Sequence, residues 1–298
     1  MVCLFATPER GKSRTGKGMI YAAHHGVHVE SLNEPYIVRL AERFRVSLFF
    51  DVMDIWKKTE QKGSEDILLG RYERGARVPK VLRPENEGFE DMEYFSIFGP
   101  TVIGTNEGIS GPLESRAIQI NMPISTRRFE NSVSPEVALP FKERLTAFRA
   151  MHLGSMLPIC EKPANGRLGD ILKPLYQIVL LSCPEREQIF RELIKEIEAS
   201  RTIERSETLE AKVIKAVIRN ERGLESGVIP VKMIVITVNI DKPDQYRYSS
   251  PRVGRILASL GFKKTRINNG QSAIHYDEKL IKQLRERYGI TESVLSAA

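Results

Sequence analysis

One short stretch near the amino terminus constrains this chain more than any other. Residues 6–13 are Ala-Thr-Pro-Glu-Arg-Gly-Lys-Ser, which matches the pattern of Ala or Gly, any four residues, then Gly-Lys-Ser or Gly-Lys-Thr. The stretch follows an apolar run at 2–5 and precedes a predicted helix, so its backbone amides and the helix start are arranged to bind phosphate. A charge-rich surface loop is the alternative, and the strand-loop-helix context favours the phosphate site.

Each residue type in this loop suits a different part of a nucleoside triphosphate. Gly11 lets the backbone approach the phosphates, Lys12 reaches the β- and γ-phosphates, and Ser13 ligates Mg2+. We expect ATP to be held by these residues of the loop and helix start: Thr7, Pro8, Gly11, Lys12, Ser13 and Arg14.

A second element follows where a metal-binding strand is expected. An apolar run, Leu-Phe-Phe, ends in Asp51, and this acid is predicted to hold Mg2+ together with Ser13. A second acid that activates the attacking water is expected directly afterwards, but Val52 stands there. Asp54 is favoured over Glu60 as its substitute. A strand-end acid without such a neighbour also suits a helix N-cap, which is the alternative role.

Two further polar residues stand beside predicted strands. Asn106 follows the apolar run at 101–104 and suits a residue that orients the lytic water; a turn is its alternative. Arg116 precedes the run at 117–121 and suits an arginine finger given by a neighbouring subunit. A surface ion pair is the alternative for Arg116. The predicted catalytic residues are Asp51, Asp54, Asn106 and Arg116.

The distribution of apolar residues predicts an α/β fold. Four apolar runs read as strands separated by helical stretches: 2–5, 46–50, 101–104 and 117–121. Continuous apolar runs of this kind suit a parallel sheet that is covered on both faces. From 140 to 200 the apolar residues recur at helical spacing instead. A parallel sheet core followed by a helical segment is therefore expected.

The order of these elements resembles the AAA+ type of P-loop ATPase, and more closely the helicase-like ATPases of phages and mobile elements, where a primase often precedes the ATPase. The resemblance spans about residues 2–200 and is carried by ATPERGKSRTGKG, LFFDVMDIW, ILLGRYERGARVPKV, FGPTVIGTNE and LESRAIQINM. ANGRLGDILKPL resembles their lid helix, where Arg167 would touch the γ-phosphate. The resemblance implies ATP hydrolysis with Mg2+, a ring or other homo-oligomer, action on DNA, and a primase or other replication protein as partner.

The resemblance also sets an expectation about the start of the chain. Proteins of this kind carry elements before the phosphate loop, including contacts to adenine, whereas the first strand here begins at Val2. We expect the chain to be truncated at its amino terminus relative to them. The two alternatives are that Met1 is an internal start and that the chain is a fragment of a longer reading frame.

The last 90 or so residues have a different pattern, which reads as three helices, a hairpin around Asn269-Gly270 and a final helix. This order resembles a winged helix, in which one helix enters the major groove and a basic wing contacts phosphates. The net charge of +7, from 45 Lys and Arg against 38 Asp and Glu, permits such a polyanionic partner. The alternatives are a small helical domain or a winged helix that binds protein. The predicted DNA contacts are Arg252, Arg255, Lys263, Lys264 and Arg266.

Several other classes of site and location are disfavoured. The three cysteines have no close spacing, which supports neither a disulfide framework nor a zinc site. His24, His25 and His28 lie near Glu30, but a polar loop or helix end is favoured over a metal site. No apolar run reaches the roughly 18 residues that span a bilayer, so we expect a cytoplasmic protein without membrane contact.

These patterns together predict a fold and a function. The predicted domains are a P-loop NTPase (AAA+-like) core at 1–139, a helical lid at 140–205 and a winged helix at 206–298. The predicted function is an ATP-dependent DNA helicase or translocase, or a helicase loader, of a phage or mobile-element replication system. The alternative is a non-catalytic winged-helix DNA-binding protein, or an inactive fragment of a longer primase-helicase. The basic carboxyl-terminal segment and Asn106 argue against a metabolic P-loop kinase.

Overall fold

The chain divides into two compact units, Met1–Glu187 and Gln188–Ala298. The computed structural model describes residues 1–31, 33–51, 65–81, 91–108, 112–125, 129–221, 227–267 and 270–290. Each unit is considered separately below. The division falls inside the segment predicted as a helical lid, so part of that segment belongs to each unit.

The first unit alternates strands and helices over most of its length. Its described helices and strands are β1 (Val2–Phe5), α1 (Lys12–Ala22), β2 (Gly26–Val29), α2 (Glu34–Phe44), β3 (Ser47–Asp51), α3 (Glu65–Gly70), β4 (Arg77–Val81), β5 (Met92–Ser96), β6 (Thr101–Thr105), α4 (Pro112–Arg116), β7 (Ile118–Asn121), α5 (Pro135–Met151) and α6 (Gly166–Ser182). This order of elements is that of a mixed α/β fold.

Five of the strands form one parallel sheet in the order β2-β3-β6-β1-β7. The central strands β3 and β6 are buried along almost their whole length, as expected for continuous apolar runs covered on both faces. The prediction of a parallel α/β sheet is confirmed. Because β6 lies between β1 and β3, the ends of these three strands meet at one edge of the sheet.

Two parts of the first unit carry weak sequence signals. Strand β2 is only four residues long and contains His28, so it lacks the apolar run that marks β3. The strands β4 and β5 form a separate antiparallel pair, and β4 contains Pro79 and has no fully buried residue. Short, partly exposed strands of this kind give little periodicity to detect.

Helix α5 begins at Pro135, five residues before the helical segment predicted from 140. The Ser134 side chain accepts a hydrogen bond from the Val137 amide, and Pro135 occupies the first helical turn, where the missing N–H costs nothing. Pro140 lies inside the helix. The helix packs against α1.

Among the described residues of the first unit, Arg71 is the largest fully buried side chain. Its guanidinium donates to Thr101 Oγ1 at 2.9 Å, to the Ile97 carbonyl at 3.0 Å and to the Val46 carbonyl at 3.0 Å. Burial lowers the pKa of Arg71 to about 10, so it stays charged at neutral pH. These bonds join the segments that lead into β3 and β6, at the sheet edge opposite the ends of these strands.

The second unit is built from helices and a small antiparallel sheet. Its described elements are α7 (Glu187–Ser206), α8 (Leu209–Arg219), β8 (Val228–Pro230), α9 (Val231–Val238), α10 (Ser250–Ser259), β9 (Lys264–Arg266), β10 (Ser272–His275) and α11 (Glu278–Tyr288). The sheet order is β8-β10-β9. Asn269, in the predicted hairpin turn, lies outside the described residues, whereas Gly270 has a φ of +76°, which suits a tight turn.

One face of α10 packs into the core of the second unit. Val253 and Leu257 are fully buried, and Ile256 and Leu260 are partly buried against the same cluster. This cluster also contains residues of α8, α9 and β10. The other faces of α10 are left exposed, and they carry its arginines. None of the helices in the described ranges of either unit is both long and apolar enough to cross a membrane.

Candidate functional site

The loop between β1 and α1 opens at the carboxyl edge of the parallel sheet. The Ala6 amide donates to the Thr105 carbonyl at 3.3 Å, which ties the start of the loop to the end of β6. Gly11 precedes α1 with a φ of +82°, a left-handed conformation that glycine adopts without strain. No side chain caps α1. Its first amides and the positive end of its dipole are therefore directed at the loop, as an anion site requires.

Lys12 folds back over this loop. Its ammonium donates to the carbonyls of Ala6 at 2.6 Å and Thr7 at 2.9 Å, and also to Oδ1 of Asn106. Desolvation lowers the pKa of Lys12, and the Asp51 charge opposes this effect. One cation therefore connects the loop with the residue that follows β6, which places the predicted phosphate-binding and water-orienting residues together.

Ser13 and Asp51 form the second contact between these elements. Ser13 Oγ donates to Asp51 Oδ1 at 3.0 Å, so a hydroxyl and a carboxylate lie side by side at the edge of the sheet. Hard oxygen ligands of this kind, completed by phosphate oxygens and water, are those that Mg2+ prefers. The pair predicted to bind the metal ion therefore fits it chemically.

His28 is a neighbour of Asp51 that has no sequence motif. It lies on β2 rather than in the loop or helix end predicted for it, whereas His24 and His25 lie in a turn as predicted. Its Nε2 is 3.9 Å from Asp51 Oδ2, and its ring stacks on Phe49 with 5.2 Å between the centroids. Among the described residues, no group of three or more His, Cys, Asp or Glu side chains is placed to hold a metal ion.

Lys12, Ser13, Asp51 and Asn106 all line one cleft of about 410 Å³. Its walls come from the loop, the start of α1, the end of β3 and the segment after β6. The lining residues are Pro8, Glu9, Arg10, Gly11, Lys12, Ser13, Arg14, Asp51, Gly104, Thr105, Asn106 and Glu107. The volume and the mixture of cations, amides and carboxylates suit a polar, anionic ligand.

Arg14 lines the cleft and also holds the segment before α5. Its guanidinium donates to the Phe129 carbonyl at 2.8 Å and to the Asn131 carbonyl. Thr7 lies in the loop and contributes its carbonyl to Lys12, and Pro8 contributes to the cleft wall. The predicted nucleotide residues of the loop therefore lie at one place, with Arg14 engaged by the protein itself.

Two predicted arginines are not among the residues that line this cleft. Arg116 ends α4 just before β7, whose first residue, Ile118, donates to the Met1 carbonyl. Arg116 therefore lies at the edge of the sheet opposite the cleft. There it donates to the Leu69 carbonyl at 3.2 Å and covers the Tyr72 ring. Arg167, near the start of α6, donates to Ser115 at 2.8 Å.

The position of Arg116 has a consequence for its predicted role. At the far edge of the sheet it cannot reach the cleft of its own chain, so a finger role requires a second copy. Arg167 would likewise have to leave Ser115 to reach a nucleotide. Asp54, the predicted base, lies outside the described residues.

The five basic residues predicted to contact DNA are all exposed in the second unit. Arg252 and Arg255 lie on α10, and Arg252 also covers the Tyr248 ring at 5.0 Å. Lys263, Lys264 and Arg266 lie in and just before β9. These residues present positive charge on an exposed helix and on the adjoining hairpin.

The first unit is an α/β fold with a parallel five-stranded sheet and a polar cleft at the carboxyl edge of that sheet, as expected of a P-loop core. The chain matches no protein-family model and no curated protein. Among solved structures it is similar to the ORC1 protein of Aeropyrum pernix, which was solved in complex with DNA, at 14% identity over 99% of this chain and 79% of that chain. The TM-score is 0.27. A score this low supports no conclusion about fold or function. The geometry of the sheet and the cleft carries both instead.

Proposed function

We propose that the first unit binds ATP with Mg2+ and hydrolyses it in the cleft between β1, β3 and β6. The observation that carries this proposal is the pair of contacts at the start of α1. Lys12 bonds to Asn106, and Ser13 bonds to Asp51 at 3.0 Å. Four residues from three separate elements thus converge beside a glycine-ended loop, which is the arrangement that phosphoryl transfer requires.

Each residue has a distinct part in the proposed reaction. The amides at the start of α1 and the Lys12 ammonium bind the β- and γ-phosphates and stabilise the charge that develops on them. Asp51 and Ser13 would hold Mg2+, which supplies further neutralisation of that charge when bound. Asn106 orients the lytic water. Arg116 of a second copy completes the site in a ring or other homo-oligomer.

The second unit supports a proposal that the ATPase acts on DNA. From α8 to β10 its elements follow the order helix, strand, helix, helix, strand, strand, with the last two strands joined as a hairpin. This order supports the proposal of a winged helix. In the proposal α10 enters the major groove through Arg252 and Arg255, and the β9–β10 hairpin, with Lys263, Lys264 and Arg266, contacts phosphates.

The combined proposal is an AAA+-type, ATP-dependent DNA helicase, translocase or helicase loader of a phage or mobile-element replication system. In it the helical lid carries the nucleotide state towards DNA, and a primase or other replication protein is a partner. Its domains are the core at 1–139, the lid at 140–205 with Arg167 as a second γ-phosphate sensor, and the winged helix at 206–298. The competing function is a DNA-binding protein without ATPase activity.

ATP hydrolysis by the purified chain, with and without single-stranded DNA, tests this proposal. We expect turnover that rises with DNA and falls at least about 100-fold in Lys12→Ala, because this change removes charge from the transition state. Lys17→Ala, on the same helix but outside the cleft lining, is the matched control. Wild-type turnover no higher than that of Lys12→Ala, with DNA still bound, would favour the non-catalytic DNA-binding protein.

A further inference from the structure

The proposed ATPase site needs a group that takes the proton of the attacking water. The position directly after Asp51 is occupied by Val52, which cannot do this. Three described carboxylates line the cleft, those of Glu9, Asp51 and Glu107. The Asp51 carboxylate already accepts from Ser13, and Glu9 is exposed on the loop itself. Glu107 is therefore the remaining described acid.

Strand pairing places Glu107 close to where the second acid is expected. Asp51, at the end of β3, pairs in register with Gly104 of the neighbouring strand β6. Glu107 follows Gly104 by three residues and comes directly after Asn106. Both acids thus leave adjacent parallel strands at the same edge of the sheet and line the same cleft.

The backbone of Glu107 is held in place. Its amide donates to Thr105 Oγ1 at 3.0 Å, and the same hydroxyl donates to the Glu107 carbonyl at 3.3 Å. Thr105 itself is only 4% exposed. This local turn restricts where the Glu107 side chain can point, which is what a group acting on one bound water requires.

One oxygen of the Glu107 carboxylate is free to accept a proton. Its Oε2 is buried, and within the described part of the chain it has no hydrogen-bond partner. A buried carboxylate oxygen without a partner is costly, and a hydrogen bond from a water would remove that cost. A water held there would be within reach of a general base.

We propose that Glu107 is the general base of the ATPase reaction, an inference that rests on the proposed function. The Glu107 carboxylate accepts a proton from water while the water oxygen forms a bond to the γ-phosphorus. The bond from that phosphorus to the oxygen bridging the β- and γ-phosphates breaks, and its electron pair stays with ADP. The proton then passes from Glu107 to phosphate or solvent, which restores the carboxylate.

The test compares Glu107→Gln with wild type and with Asp54→Asn. We expect Glu107→Gln to lower kcat at least about 100-fold, because general-base catalysis contributes about 100- to 10,000-fold. Equilibrium binding of a fluorescent ATP analogue should stay within about threefold, since the proton transfer takes no part in ground-state binding. Glu73→Gln changes an exposed glutamate that does not line the cleft, and it should keep wild-type turnover.

Chemical rescue separates proton transfer from a merely structural role. Glu107→Ala leaves space for a small carboxylic acid, so added formate should restore part of its turnover and have no such effect on Lys12→Ala. If Glu107→Gln turns over ATP as fast as wild type, or if only Asp54→Asn loses turnover, the role of Glu107 is overturned. The proposed ATPase function is not affected by that result. Wild-type turnover no greater than that of Lys12→Ala removes the proposed function, and this role with it.

Discussion

Ser13 and Asp51 are 38 positions apart in the chain, and Ser13 Oγ donates to Asp51 Oδ1 at 3.0 Å. The contact joins the start of α1 to the end of β3, two strands away from β1 in the sheet. The adjacent Lys12 reaches Asn106 after the intervening strand β6. Consecutive residues of one helix therefore touch two neighbouring strands, and this makes the cleft a single site.

Asp51→Asn should weaken ATP binding only when Mg2+ is present. The amide keeps the shape of the side chain but removes the charge that would attract the metal ion, so we expect about a tenfold loss of affinity with Mg2+ and little change in EDTA. Titration with a fluorescent ATP analogue under both conditions measures this effect. Asp241→Asn, an exposed aspartate of the second unit, is the control. Equal losses with and without Mg2+ would argue against a metal role.

The affinity for nucleotide should fall as pH rises, and the fall should begin at a lower pH than it would if Lys12 had the usual lysine pKa. Desolvation lowers the pKa of Lys12, so its ammonium loses the proton at a lower pH, and only the charged form attracts phosphate. The dissociation constant for ATP should therefore begin to increase at a pH below the usual titration range of a lysine. Lys12→Arg keeps its charge across this range and should show a flatter profile. Parallel profiles for the two proteins would contradict this explanation.

Replacing Lys263, Lys264 and Arg266 with alanine should reduce the salt dependence of DNA binding. If each residue neutralises one phosphate of duplex DNA, the slope of log K against log salt should decrease in magnitude by about 2 to 3. Fluorescence anisotropy between low and moderate salt measures the slope. Lys279, Lys282 and Arg287 on α11 provide a control triple with the same charge. If only the control triple changes the slope, the DNA interface does not include the hairpin.

Arg71→Met should destabilise the first unit by about 2–3 kcal/mol. The change leaves the carbonyls of Val46 and Ile97 without their buried donor. Urea unfolding followed by far-ultraviolet circular dichroism measures this loss. Arg74→Met, an exposed arginine nearby, should cost less than about 0.5 kcal/mol. An equal effect of the two changes would contradict the role assigned to Arg71.

Mixing two inactive variants tests whether Arg116 acts across subunits. Lys12→Ala keeps its Arg116 but cannot use its own cleft, whereas Arg116→Ala keeps an intact cleft. If Arg116 serves a second copy, the mixture should regain ATPase activity at the shared interface, and the gain should increase with protein concentration. If the activity of the mixture is no higher than the sum of the two separate variants, Arg116 serves only its own chain, through its hydrogen bond to the Leu69 carbonyl and its contact with the Tyr72 ring.

The local parts of the site could be predicted from sequence because they depend on neighbouring residues. Gly11 and Lys12 lie in one loop between a strand and a helix, and that pattern already requires a left-handed turn and free helix amides. The apolar runs before Asp51 and Asn106 predict buried parallel strands, since only a sheet covered on both faces accepts them. Parallel strands also require that their ends share one edge of the sheet.

Strand order and side-chain direction, by contrast, were decided only by the tertiary structure. The pairing of β2 with β3 brings His28 to Asp51, and the pairing of β3 with β6 brings Glu107 into the same cleft. Neither residue was predicted as a site residue from the sequence, because the groups that it meets in the cleft are distant in the chain. Burial of the charged Arg71 likewise depends on carbonyls from two segments, at Val46 before β3 and at Ile97 and Pro100 before β6. Periodicity reports which face of an element is apolar, whereas contacts between elements depend on how the whole sheet is assembled.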